Sequence, residues 1–262
     1  MVIVDARGAE FGYELACVLP YAYYLHKNGL LTVTRSAKLT NELYYFSDSH
    51  HEVYEKRGNT DLSSFPNPNV GVIDMKYDQW VPPLYKDRFG DFNFGFTKPL
   101  LIVHNKYNQE WSGPPVNFID VPTLEKIFEM FSGNFEIVYS RPGSDVIVGD
   151  NSDIYALEGE NDIGFTKICD LYKKFEEDFN NFNHFQLALH AACDKFISVQ
   201  GGTSYLASYF GGTNIVYAVK GQELKGSFDG YFKKFSGCDV THVSSYPDLL
   251  TTAKTKFTSP PW

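Results

Sequence analysis

Lys195-Phe-Ile-Ser-Val-Gln-Gly-Gly-Thr-Ser-Tyr-Leu-Ala-Ser-Tyr-Phe210 is the stretch on which the reading of this chain turns. Phe196, Ile197 and Val199 form a short apolar run of the kind that makes a buried strand. Gln200-Gly201-Gly202-Thr203 interrupts it with residues that tolerate unusual backbone angles. Thr203 or Ser204 is an N-cap type, and Tyr205, Leu206, Ser208, Tyr209 and Phe210 then follow at helical spacing. Gly211-Gly212 stops that helix, and Asn214 to Ala218 reads as the next strand. Strand, glycine turn and helix start together offer amide donors to a phosphate. The same pattern also serves a tight βα connection with no ligand.

Working outward, the second half of the chain alternates regularly. Strands are expected at Lys98–His104, Phe135–Tyr139, Asp153–Leu157 and Val240–Val243. Helices are expected at Pro122–Phe131, near Thr166–Phe175, at Asn183–Cys193 and at Tyr246–Ala253. The N-terminus opens the same way: a strand at Val2–Val4, a glycine loop, a helix over Tyr13–His26 that Pro20 kinks or shortens, and a strand at Leu30–Thr34. Such units favour parallel sheets with ligands at the strand C-termini. Between Ser36 and Thr97 only Asn69–Ile73 reads as a strand. His50-His51, with Asp48 and Glu52, reads as a solvated loop, because adjacent strand residues point to opposite faces and no further ligand lies nearby. The expected fold is therefore α/β, two Rossmann-like αβα halves facing across a cleft. Residues 1–97 form an acceptor-side domain, and residues 98–262 a nucleotide-binding domain.

Composition narrows the classes. Of the 262 residues, 43% are hydrophobic and 16% aromatic, so a globular core is expected with most aromatics inside it. The net charge of −9 argues against nucleic-acid binding. The four cysteines show no CxxC or zinc spacing and read as reduced thiols of a cytoplasmic protein. No apolar run approaches the ~20 residues that span a bilayer, and no signal peptide is expected. Walker, strand-linked GxGxxG, GxSxG and DxD motifs are absent, which argues against P-loop, common Rossmann cofactor, hydrolase-elbow and metal-dependent sugar-nucleotide sites.

Loops after parallel strands converge on one sheet edge, which gathers the candidate site. Lys106, following His104-Asn105, and Arg141 bring two cations to the Gly201-Gly202-Thr203-Ser204 turn, apt for a diphosphate. Glu158, Glu160 or Asp162 could accept from a ribose or base, and Asn183 and Gln186 could reach the same cleft or simply cap their helix. Across the cleft lies the loop from Arg7 to Glu14. Glu10 is the first candidate base for an acceptor hydroxyl, followed by Glu14 and Asp5. An exposed loop acid, or one paired with Arg7, is the alternative for Glu10.

The segment Phe196–Gly212, preceded by the Phe185-Gln-Leu-Ala-Leu helix, resembles the donor-site segment of GT-B-type glycosyltransferases, notably fucosyltransferase-like members. Gly8-Ala-Glu-Phe-Gly-Tyr-Glu-Leu15 resembles their acceptor-side loop. Related uncharacterised glycosyltransferase-like proteins of bacteria and large DNA viruses are also similar. The basic His-x-Arg pattern of several fucosyltransferases stands here as His104-Asn105-Lys106. The resemblance implies sugar transfer from a nucleotide-sugar donor such as a UDP- or GDP-sugar to an oligosaccharide or glycan acceptor. It implies no cofactor and no obligatory metal, with Lys106 and Arg141 neutralising the diphosphate. A non-catalytic nucleotide- or sugar-binding αβ module remains the alternative.

Overall fold

A computed structural model describes residues 1–58, 79–108, 113–141, 164–221 and 228–258. Expected strands at Asn69–Ile73 and Asp153–Leu157, and candidates Glu158, Glu160 and Asp162, lie outside the described residues.

Two parallel sheets organise the chain. The first has the order β1 (Val2–Asp5), β2 (Leu31–Ala37), β3 (His50–Tyr54). The second comprises β4 (Leu100–His104), β5 (Glu136–Ser140), β6 (Thr166–Lys167), β7 (Lys195–Val199), β8 (Thr213–Tyr217) and β9 (Asp239–Val243). Its order is β6-β5-β4-β7-β8-β9, and every pairing is parallel. All six strands therefore end on one edge. β4 continues into α4 (Val121–Phe131) and β7 into α7 (Gly202–Ser208). Leu124 and Ile127 of α4 join one core cluster, and Leu206 and Ala207 of α7 join the other, so the two helices lie on opposite faces. The loops after β4 and β7 diverge between neighbouring strands, which makes that point the topological switch where open α/β sheets bind ligands.

The aromatics collect at the seam between the halves. Trp80 is fully buried among Tyr209, Tyr231, Phe232 and Phe235. Tyr85, in α3 (Tyr85–Phe89), meets Tyr209 and Phe210. Residues 92–94 pack against Phe175 and Phe179, at the ends of α5 (Ile168–Phe175) and the short 3₁₀ turn that follows it. One continuous apolar cluster therefore runs from Val4 and Leu15 in the first half to Phe196 and Phe232 in the second.

The helix expected at Tyr13–His26 is split. A turn of α1 (Phe11–Tyr13) passes into a π-helical turn, Glu14–Val18, and then into α2 (Leu19–Lys27) with Pro20 at its start. Pro20 lacks an N–H, so a carbonyl one turn earlier loses its helical partner. The carbonyls of Leu15 and Ala16 accept instead from the Tyr209 hydroxyl and the Trp80 indole. The helix defect is thereby tied into the seam.

Three further local readings differ from the structure. His50-His51 lies on β3 rather than in a solvated loop. His50 bonds Thr34 and Ser36 of the neighbouring strand and stacks on Tyr44, while His51 faces out. β6 precedes α5 where only a helix was expected, and α8 (Phe228–Phe235) was not foreseen.

Candidate functional site

The turn at Gly201 sits at the switch point, and its geometry explains its glycines. Gly201 has φ 141° and ψ −166°, a conformation that side-chain-bearing residues avoid. A Cβ placed there would lie 2.9 Å from Lys106 Nζ, so the ammonium of the β4 loop rests against this turn. A Cβ on Gly202 would meet Phe11 Cδ1 at 2.9 Å, the Gly12 nitrogen at 3.1 Å and its Cα at 3.3 Å. The loop from Arg7 to Glu14 thus packs directly on the turn, so the two halves face each other there.

Arg141 follows β5, and the Asn105 amide donates to the Ser140 carbonyl beside it, so the Lys106 and Arg141 loops are neighbours. Both cations are half-buried. The loops are fixed by two asparagines. Asn105 exchanges bonds with Ile119 through both ends of its amide. Asn117 accepts from the amides of Val219 and Lys220 and donates to the Lys220 carbonyl and the Gln200 side chain. This brings Lys220, just beyond β8, to the same edge as Lys106 and Arg141. The sequence reading missed it, although its place after a strand was the available signal.

The predicted turn hydroxyls divide. Ser204 is buried and folds back, donating to the Gly201 carbonyl at 2.7 Å and accepting from the Gly201 amide. It shapes the turn. Thr203 is half-buried beside it.

The predicted acids are placed as follows. Glu10 is exposed and caps α1, its two oxygens accepting from Gly12 and Tyr13 at 2.9 and 2.7 Å. A carboxylate oxygen carries two lone pairs, so capping leaves further acceptor sites on each. Glu14, the second candidate, is 1% exposed and accepts from Tyr44 Oη at 2.8 Å and Arg57 Nε at 2.6 Å. Enclosure in the core makes it a structural counter-ion and removes it as an acceptor-side base. Burial and the neighbouring Glu14 charge keep the Tyr44 hydroxyl protonated, its pKa raised well above the usual phenol value. Asp5, the third candidate, accepts from the Tyr54 hydroxyl and the Arg7 amide, clasping β1 to β3.

One of the expected nucleoside contacts is engaged elsewhere. Asn183, at the start of α6 (Phe182–Ala191), donates to the Leu39 carbonyl of the first half. Asn180 and Asn181 likewise bond Glu42. These residues join the halves. Gln186 lies one turn further, and its carbonyl accepts from His190 Nδ1 at 2.6 Å.

That last contact belongs to a buried histidine pair that joins α6 to the end of β4. A carbonyl only accepts, so His190 Nδ1 carries the proton and neutral His190 Nε2 is an acceptor. His104 Nε2, 2.9 Å away, must donate to it. His104 Nδ1 is then a bare acceptor with no partner among the described residues. Both rings are fully buried, and desolvation favours their neutral forms: His190 is held down to about 4 and His104 well below the ordinary histidine value.

No three-residue grouping of His, Cys, Asp and Glu suited to a metal occurs among the described residues, and no helix among them is long and apolar enough to cross a membrane. Cys17, Cys193 and Cys238 are buried thiols and Cys169 is exposed.

No protein-family model and no curated protein matches the sequence. A solved structure does: the glycosyl transferase family 9 protein from Veillonella parvula DSM 2008 aligns with a TM-score of 0.54 at 10% identity. The alignment covers 99% of this chain and 90% of that one. At such identity the likeness is one of fold. The chain has the two-sheet α/β architecture of a GT-B glycosyltransferase, with no particular tie to fucosyltransferases.

Proposed function

We propose that this chain is a metal-independent glycosyltransferase that moves a sugar from a nucleoside-diphosphate sugar to a glycan hydroxyl. The observation carrying this reading is the contact of the Lys106 ammonium with the Gly201 turn at the switch point, closed from the other half by the Gly12 loop. Lys106 and Arg141 would stabilise charge as it develops on the departing diphosphate, where preorganised cations act most strongly. Glu10, on the loop that touches Gly202, would take the acceptor proton in an inverting reaction through a lone pair left over from capping. In a retaining reaction the proton would pass instead to the departing phosphate.

One observation favours a second reading, a non-catalytic nucleotide- or sugar-binding module: both Glu10 oxygens already hold backbone amides. Titration with UDP, GDP, CMP and their sugars, with and without EDTA, followed by a donor-hydrolysis assay, separates the two. The transferase reading expects one nucleotide to bind regardless of EDTA and its sugar to be slowly hydrolysed, with hydrolysis lost in Lys106→Ala. Binding without turnover under any condition supports the module. If none of the nucleotides binds, both readings fail.

A further inference from the structure

Arg57 took no part in the sequence reading, yet it lies beside the loop that closes on the turn. Its Nε bonds the enclosed Glu14 at 2.6 Å. Its guanidinium carbon sits 4.9 Å from the centre of the Phe11 ring, and the same ring touches Gly202. The neighbouring Gly58 packs on Gly8, with only 3.1 Å between a Cβ built there and the Gly8 Cα. Arg57 is therefore held by Glu14 and Phe11 beside the glycine loop, one aromatic ring away from the turn that Lys106 contacts.

The unused part of the guanidinium is what points to a ligand. Arginine presents five N–H donors, and Glu14 takes the one on Nε. Nη2 is shut off from solvent with no acceptor, and no bond reaches Nη1 among the described residues. The side chain nevertheless keeps 25% of its surface exposed. Neutralising Glu14 needs only one edge of the fork, and a lysine would do that. The exposed part of the fork, held in place and without an acceptor of its own, suits a phosphate oxygen as a charge-assisted donor.

We infer that Arg57 is a phosphate-oxygen ligand contributed by the acceptor-side half, gripping the donor diphosphate opposite Lys106. This rests on the nucleotide-sugar reading above and extends it, since the anion would then draw on cations from both halves.

The test is calorimetric titration with inorganic pyrophosphate and with UDP and GDP, on wild type, Lys106→Ala, Arg57→Lys and the double variant Glu14→Gln/Arg57→Gln. Arg57→Lys keeps a cation against Glu14, and the double variant removes both charges together, so folding is protected by two routes. Melting temperature without ligand is read alongside. Loss of one charge-assisted contact should weaken pyrophosphate and the bound nucleotide by about tenfold in Arg57→Lys and in the double variant. The unliganded melting temperature of Arg57→Lys should stay near wild type. If Lys106→Ala weakens binding while both Arg57 variants bind as wild type, the inference falls and the nucleotide reading stands. If wild type binds neither pyrophosphate nor nucleotide, both fall.

Discussion

Replacing Gly202 with alanine tests the meeting of the two halves at one atom. Gly202 begins α7 with a φ that any residue adopts, so the substitution carries no backbone strain. Alanine also restricts the unfolded chain and on that account should stabilise by about 0.4–1 kcal/mol. What opposes it is contact: the new methyl would lie 2.9 Å from a Phe11 ring carbon and 3.1 Å from the Gly12 nitrogen. The ring can turn, but the Gly12 backbone belongs to a helix whose next residues, Glu14 to Leu19, are all buried. Over-packing of this kind costs about 1–3 kcal/mol; at the middle of both ranges the net loss is about 1.3 kcal/mol. For a chain of this size that lowers the melting temperature by roughly 2–8 °C. Thermal unfolding followed by circular dichroism reads it, and Phe11→Leu in the same background should return part of the loss. A Gly202→Ala protein as stable as wild type, or more so, would refute the packing of the glycine loop on this turn.

Further outcomes follow from the same geometry. Lys106→Ala, at a half-buried side chain on a loop, should weaken the cognate nucleoside diphosphate by about tenfold or more while leaving melting near wild type, as loss of a charged hydrogen-bond partner predicts. Arg57→Ala leaves Glu14 enclosed without its cation and should cost about 3–5 kcal/mol, seen as a large fall in denaturant midpoint. Acid should destabilise through the histidine pair. The unfolded chain takes up protons below its ordinary histidine value near 6.5, and the native His190 resists until about 4, so stability is full above 6.5 and drains between those limits. His190 alone accounts for about 3 kcal/mol over that window, and His104 adds in the same direction. Urea titrations at stepped pH should show a shallower acid slope in His190→Gln.

The βα alternation of the second half was legible because each buried strand is a short apolar run closed by glycine or a turn. Lys195 to Tyr217 is the clearest instance. That Lys106 and the Gly201 turn would share an edge followed from parallel strands alone. What escaped was what depends on partners distant in sequence. Glu14 looks like any helix acid until Arg57 and Tyr44 close around it. Asn183 reads as a cleft residue until the Leu39 carbonyl is brought to it. His50 was hidden because its polar neighbours Thr34 and Ser36 come from the adjacent strand, turning an apparent loop into a satisfied edge. The π-helical turn was foreshadowed by Pro20, but its stability comes from Trp80 and Tyr209, whose roles no local pattern encodes.

The most direct measurement is a crystal structure with the tightest-binding nucleoside diphosphate. The diphosphate is expected at the switch point between β4 and β7, its oxygens within hydrogen-bond reach of Lys106 Nζ and beside the Gly201 turn. A diphosphate bound elsewhere, for instance in the groove lined by Arg88, Phe92, Phe179 and His184, would contradict it.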